Sequence, residues 1–359
     1  MWVTGERVVI MSSAGDYPHQ RSDRNPLGTH DYGLTYTSEC RPGSKKKKKR
    51  GRGRSGLCCR APGPKAHLVC SSRRPPLHHR SVTSAGSVSD LATAAATAFG
   101  GAPIVFVGAN AGVAQGGLAG RGPESSVGAL SSVGASDADW NITMQVNVLG
   151  VVRTLRACLA RIFEQDRLVQ VHVVATASVA GIMSSSLGPY TASKHACVAL
   201  CENLHQDLVV AGRDGQIKVH VLCPGLVYTD IVSPAPIALS STAGTLTADD
   251  RRKIARRTFQ ELMRDFYRDH GLTADQLAAG AFEQIEQDRF FLVVEATGEG
   301  HLGATRLAAE RGRRIGEGGY AEIPKSSPML VYIMQRYRDR RRAALDQAVA
   351  SRAGSSSKL

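Results

Sequence analysis

Residues 168–201 read "LVQVHVVATASVAGIMSSSLGPYTASKHACVALC". An apolar run gives way to a turn of small residues, and Gly188–Pro189 then opens a helix. The run is apolar throughout and does not alternate, as expected of a strand covered on both faces in a parallel sheet. Tyr190 and Lys194 stand four apart on the following helix and so share a face. A positive charge beside a phenol favours its ionised form, which makes a tyrosine a usable proton donor near neutral pH. The competing reading is an amphipathic helix with two solvated polar residues. The surroundings decide between them.

The same texture repeats on both sides. "APIVFVGANAG" gives a strand at 103–108, "IKVHVLCPG" a strand stopped by Pro224, and "RFFLVVEAT" a further strand. Helical patterns lie between them: "SDLATAAATAFG", the long "SDADWNITMQVNVLGVVRTLRACLARIFEQ", the Tyr190 helix ending at Gly212, and "TADQLAAGAFEQIEQ". Apolar strands alternating with helices predict an α/β fold with a doubly wound, mostly parallel sheet covered on both faces. Ligands in such sheets bind beyond the carboxyl ends of the strands. "GANAG", "TASVAG" and "CPGLVYT" all follow strand ends and converge there with the start of the Tyr190 helix, which gives the tyrosine a site to serve.

The charge is unevenly placed. The chain of 359 residues carries a formal +14, yet residues 1–80 hold 17 Lys/Arg against 5 Asp/Glu. The basic character therefore belongs to a leading segment, which argues against a nucleic-acid groove in the main domain. That segment, with "RPGSKKKKKRGRGRSG", has no sustained apolar periodicity and reads as disordered over 1–86; a polyanion-binding or nuclear-localisation tail is the alternative. "GRGRSG", Gly51–Gly56, matches G-x-G-x-x-G in letters only, since no strand precedes it and no helix follows. No apolar run is long enough to span a membrane. The eight cysteines (Cys40, Cys58, Cys59, Cys70, Cys158, Cys197, Cys201, Cys223) form no C-x-x-C pair, so free thiols are expected and no metal site.

Five segments in order resemble the short-chain dehydrogenase/reductase family, Rossmann-fold NAD(P)-dependent oxidoreductases, over about residues 87–296. "NAG", Asn110–Ala111–Gly112, resembles the segment that supports the sheet and lines the adenine side of the cofactor. "NVLG" supplies Asn147, matching the helix asparagine that holds a water in the proton relay. "TASVAG" supplies Ser178, the hydroxyl for the substrate carbonyl; Thr176 is a nearby competitor, but the serine fits the register better. "YTASK" supplies Tyr190 as acid/base and Lys194 as its partner, the lysine also reaching the nicotinamide ribose. "PGLVYT" supplies Pro224, Gly225, Val227 and Thr229, which resemble the loop beside the nicotinamide amide. The resemblance implies NADP or NAD as cofactor, a choice the residues do not disclose, and hydride transfer to or from a carbonyl/alcohol substrate. It also implies a homo-oligomer. His195, adjacent to the lysine, points elsewhere on the helix and is read as surface.

The pattern departs from the family at the start. The Thr-Gly-x-x-x-Gly-x-Gly turn is not found, and Ser87 stands where an acidic residue near the adenine is usual. Only "RVVIMSSAG", Arg7–Gly15, has a strand-then-turn look, and "DYPHQRSDRNPLG" after it does not make a helix for the pyrophosphate. Without earlier strands, the strand at 103–108 would be an unpaired apolar edge. The expectation is a chain whose true start is lost or misassigned. Degenerate strands hidden in 1–86, or a catalytically impaired relative acting as a binding or scaffold protein, are the alternatives.

The organisation expected is a basic segment 1–86, a Rossmann domain 87–300 and an extension 301–359 with a helix over 326–350. Within the domain, "DDRRKIARRTFQELMRDFYRDHG" is an amphipathic helix with Phe259, Leu262, Met263 and Phe266 on one side, read as a substrate lid or as plain core packing. The chain ends Ser357–Lys358–Leu359, the peroxisomal import-receptor address, so peroxisome is expected over cytoplasm. That address makes lipid or acyl-CoA carbonyls plausible substrates.

Overall fold

The computed structural model describes residues 8–12, 81–98, 102–114, 132–185, 187–232, 239, 246–320 and 328–356. Its centre is one sheet of five parallel strands in the order β1-β2-β3-β4-β5: Val8–Ser12, Ile104–Ala109, Val171–Thr176, Ile217–Pro224 and Phe291–Val294. The strand expected at 103–108 lies one residue later. It is not an edge, because Val8–Ser12 pairs along it from Val8↔Ile104 to Ser12↔Ala109. The strand-like look of Arg7–Gly15 therefore corresponds to a real ladder, and the expectation of an unpaired apolar edge is corrected.

Helices α1 (Ala85–Ala98), α3 (Gly150–Ile162) and α4 (Pro189–Val210) cover one face. Their apolar stripes meet the inward residues of β2, β3 and β4 in the main core, with Ile162, Cys197, Cys201, Ile217 and Val221 fully enclosed. Val82 packs with Val88, Ala111 and Val146 in a smaller cluster beside this core, so packing begins ahead of α1. Helix α6 (Ala274–Glu286) covers the opposite face, with Ala281 and Ile285 against Val174, Leu222 and Leu292. The strand order continues in one direction while the covered face changes, so the β4–β5 crossover is opposite in hand to those before it. With both faces covered, near-continuous apolar strands are what the sheet requires.

Two glutamines extend the ladder. Gln165 accepts from the Ile104 N–H at 2.7 Å and donates to its carbonyl at 3.0 Å, and Gln284 does the same for Val293 on edge strand β5. Both satisfy backbone groups that would otherwise be costly. On the α6 face, neighbouring strands bring His172 and His220 together, Nδ1 to Nε2 at 3.0 Å. His220 Nδ1 also meets the Arg289 carbonyl at 2.7 Å, so it donates there and its Nε2 accepts from His172.

Helix α5 (Ala248–His270) starts with a capping box from Thr247 and Asp250. Of its expected apolar side, Leu262, Met263 and Phe266 are buried. Phe259 meets the ring of Tyr337 on α8 (Pro328–Ser356) edge-on at 6.3 Å, while Arg340 of α8 pairs with Asp265 at 2.7 Å. The expected C-terminal helix thus docks on α5. Helix α7 (Ala304–Gly316) was not anticipated from the sequence; Glu295 caps its start by accepting from the Leu302 and Ala304 N–H groups.

Candidate active site

The site is assembled at the carboxyl ends of β2, β3 and β4. After β3 the chain makes a single 3₁₀ turn, Val179–Gly181, capped by Ser178, whose Oγ accepts from the Ala180 N–H at 3.2 Å. Gly181 then passes so close to α4 that a Cβ there would stand 2.6 Å from the Lys194 carbonyl oxygen. Only a residue without a side chain permits that contact, and it fixes Ser178 against the helix carrying Tyr190 and Lys194. The chain enters α4 through Gly188 at φ 56°, a conformation that favours glycine, followed by Pro189 in the first turn.

Lys194 is 2% exposed. Its Nζ donates to the Thr176 carbonyl at 2.8 Å and lies 5.6 Å from the centre of the half-buried Tyr190 ring. The sequence reading of a phenol with an adjoining ammonium is thereby met. Thr176, the competing hydroxyl, serves otherwise: its Oγ1 donates to Asn110 Oδ1 at 2.9 Å. His195 is half-buried, with its ring against the Thr191 carbonyl at 3.1 Å, and the structure does not bring it to this cluster.

Asn147 sits in a π turn, Gln145–Leu149, inserted between α2 (Asp137–Met144) and α3. The break in the helical ladder is stabilised by Arg153, which donates to the Gln145 carbonyl and to its side chain. The fully buried Asn147 amide accepts from the Val113 N–H at 2.8 Å, and donates to the Val113 carbonyl and to Ser193 Oγ, both at 2.9 Å. Ser193 Oγ in turn donates to the Tyr190 carbonyl at 2.7 Å. One chain of hydrogen bonds thus joins the segment after β2, the π turn and the first turn of α4. With its side chain committed in this way, Asn147 acts first as the clamp of the site.

Asn110, Ala111 and Gly112 follow β2, and a Cβ on Gly112 would stand 3.5 Å from Lys194 Nζ and 3.6 Å from Asn147 Oδ1. Pro224 at the end of β4 and Val227 beyond it are buried, and the Gly225 N–H donates to the Val294 carbonyl at 2.9 Å. Thr229 is exposed at the end of this loop. Burial pushes the thiol of Cys223, behind Ser178, up to about 12, so it is an inert part of the core. Among the described residues no three His, Cys, Asp or Glu side chains are grouped as metal ligands, and no helix is long and apolar enough to cross a membrane.

Residues 77–238 match the short chain dehydrogenase family. A solved short-chain dehydrogenase/reductase from Burkholderia phymatum, in complex with NAD, is 30% identical, over 69% of this chain and 78% of that one, with a TM-score of 0.52. The chain belongs to the short-chain dehydrogenase/reductase family. Among curated members of this family, the 1-deoxy-11-beta-hydroxypentalenate dehydrogenase of Streptomyces avermitilis is 27% identical over 46% of this chain and 50% of its own length. The rat dehydrogenase/reductase SDR family member 7B is 30% identical over 36% of this chain and 37% of its own. The chain spans about half the length of the curated relatives it matches.

For a family member, two positions carry more of the site than their residue types announced. Ser193 looked like an ordinary helix serine; its place between Tyr190 and Lys194 at i+3 from the tyrosine was the available signal. Gly181 was quoted as part of a turn, without the close approach that requires it. The Gly51–Gly56 stretch, the turn after Ser12 and the Ser357–Leu359 terminus lie outside the described residues.

Proposed function

We propose that the chain is an NAD(P)-dependent oxidoreductase acting on a carbonyl or alcohol, and that Asn147, Ser178, Tyr190 and Lys194 carry the reaction. The observation behind this reading is the buried Lys194 ammonium. A buried charge needs hydrogen-bonding partners, an ammonium has three donors, and among the described residues Thr176 accepts one of them. Two remain for the vicinal hydroxyls of a nicotinamide ribose, so the residues present fit the nicotinamide half of the cofactor. Asn110–Gly112 and the loop Pro224–Thr229 would border it on either side.

The bound cofactor would supply or accept the hydride. The chain's own residues do the rest. Ser178 and Tyr190 hydroxyls donate to the substrate oxygen, meeting the negative charge that develops on it during reduction. Tyr190 delivers the proton as general acid, with the Lys194 ammonium 5.6 Å from the centre of its ring. The Asn147–Ser193 chain holds Tyr190 in place. In oxidation the same groups act in reverse.

Calorimetric titration with NADH and NADPH tests the first half of the reading, and expected binding to either identifies the preferred cofactor. Tyr190→Phe tests the second: binding should persist while turnover falls by about 100-fold or more. Unchanged turnover would overturn the assignment. For the rest of the biology, the Ser-Lys-Leu terminus supports delivery by the peroxisomal import receptor, lipid or acyl-CoA carbonyls as substrates follow from that address alone, and family membership supports a homo-oligomer. A fluorescent fusion that stays cytosolic with the terminus free would remove the peroxisomal reading.

A further inference from the structure

We infer that the cleft between the loop after β4 and the exposed face of α5 is a binding site for a phosphate group, with the Arg264 guanidinium as its principal donor. The inference is one of binding and does not depend on the oxidoreductase reading above. The cleft has a volume of about 360 Å³ and is lined by Tyr228 of the loop and by Arg257, Glu261, Arg264, Asp265 and Arg268 of α5. Backbone ties its two walls together. Tyr228 N–H donates to the Leu272 carbonyl and Leu272 N–H to the Leu226 carbonyl, each at 2.9 Å, and Val227 pairs with Leu272. A Cβ on Gly271 would stand 3.1 Å from the Leu226 carbonyl oxygen, so loop and helix end meet without room for a side chain. The spacing of Arg257, Arg264 and Arg268 on α5 places all three on one exposed stripe.

The carboxylates of the wall are already paired. Glu261 accepts from Arg257 Nε at 2.8 Å, and Asp265 accepts from Arg268 Nη1 at 3.0 Å through one oxygen and from Arg340 of α8 at 2.7 Å through the other. Asp269 holds Arg268 from its other side at 2.9 Å. These pairs fix the frame. Arg264 stands between them, and among the described residues neither its guanidinium nor the Tyr228 hydroxyl has a partner. Both side chains are exposed, so a ligand reaches them from solvent. What the cleft offers is therefore a complete guanidinium fork, the Nη groups of Arg257 and a phenol hydroxyl, all of them donors. A phosphate ester brings close to two negative charges and three acceptor oxygens, and a planar guanidinium binds such a group through two bonds at once. A carboxylate brings one charge and two oxygens, a poorer match beside the carboxylates already in the wall. The volume falls in the range of sites for small organic ligands, which favours an organic phosphate over the free ion.

The test is calorimetric titration near neutral pH and at fixed ionic strength, with phenyl phosphate, inorganic phosphate and benzoate as probes. Wild type should bind phenyl phosphate about tenfold or more tighter than benzoate, and Arg264→Gln should weaken phenyl phosphate by about tenfold or more. Arg306→Gln removes the same charge from the exposed surface of α7 and should change that affinity by less than about twofold. Glu261→Gln removes a negative charge from the wall and should tighten binding by about twofold to fivefold, a gain that a merely structural role for this helix face would not give. A preference of about tenfold for phenyl phosphate over inorganic phosphate assigns the site to an organic phosphate, and equal affinities assign it to the free ion. Equal weakening in Arg264→Gln and Arg306→Gln would mean general attraction to a basic surface and overturn the site. Benzoate binding as tightly as phenyl phosphate, or no binding of any probe up to about 10 mM, would overturn it as well.

Discussion

Replacing Gly181 with alanine adds one methyl group at the point where the Ser178 turn meets the Tyr190 helix. That Cβ would fall 2.6 Å from the Lys194 carbonyl oxygen, 2.9 Å from the carbonyl carbon and 3.2 Å from Val198 Cγ2. Two of these atoms are backbone in the middle of a 22-residue helix, so rotating a side chain relieves nothing. To restore ordinary contact, turn and helix must separate by roughly 0.8 Å, and overpacking of this kind costs about 1–3 kcal/mol. For a body of this size each kcal/mol lowers Tm by about 2–4 °C, so a loss of about 4–8 °C is expected near the middle of that range. The separation moves the turn that carries Ser178 away from the helix that carries Tyr190, and these two hydroxyls are assigned to one substrate oxygen. Misplacement by about 1 Å in such a pair can cost as much as 100-fold in rate. The assay is differential scanning fluorimetry with turnover measured well below Tm. Gly312→Ala is the control: it lies in α7 with nothing within 4 Å, and alanine there should stabilise by up to about 1 kcal/mol. Wild-type Tm and wild-type turnover in Gly181→Ala would refute the reasoning.

Acid should weaken the fold through the His172–His220 pair. Burial, then the His220 charge, lower the His172 pKa to about 4, and burial lowers that of His220; Asp288 opposes and Lys218 reinforces both shifts. A lowered folded-state pKa means stability that is complete above about pH 6.5 and is lost as pH falls toward 4, amounting to about 1–2 kcal/mol for half-buried His172 after allowing for solvent screening. Urea midpoints at pH 7.5 and pH 5 should therefore differ in wild type and converge in His172→Gln; equal midpoints in wild type refute it. Lys194→Met replaces a buried ammonium by an apolar chain of similar length, so Tm should hold or rise while turnover falls by about 100-fold or more; a large drop in Tm would mean that the ammonium serves the fold. Ser193→Ala leaves the Asn147 amide short of one partner and should cost about 1–2 kcal/mol by urea unfolding, with Ser193→Thr restoring part of it. No change in the alanine variant would remove Ser193 from the clamp.

Strands, helices and the pairing of a phenol with an ammonium were legible because each leaves a local pattern: continuous apolar runs, helical spacing, two side chains on one face. What was missed depends on partners far along the chain. The strand at Val8–Ser12 has only its own five residues as signal, and what makes it a strand is Ile104–Ala109, more than ninety residues later. The Asn147 side chain joins Val113, 34 residues away, to Ser193, 46 residues away, partners that no local spacing announces.

The residues proposed to carry the reaction are held by groups that carry no chemistry of their own. Ser178 is placed by the absence of a side chain at Gly181, Tyr190 by a left-handed glycine before it and by Ser193 behind it, and Lys194 by the Thr176 carbonyl at the end of a central strand. The Thr176 contact ties Lys194 to the sheet, because β3 pairs with β4 over its whole length and with β2 from His172 to Ala175. A change that shifts β3 against its neighbours would move Lys194 and Ser178 together, since both depend on the strand's last residues, but would leave Tyr190 governed by α4. The weakest joint of the site is therefore between β3 and α4. That joint is the one Gly181 closes, and for this reason a methyl group there is expected to impair turnover more than it impairs the fold.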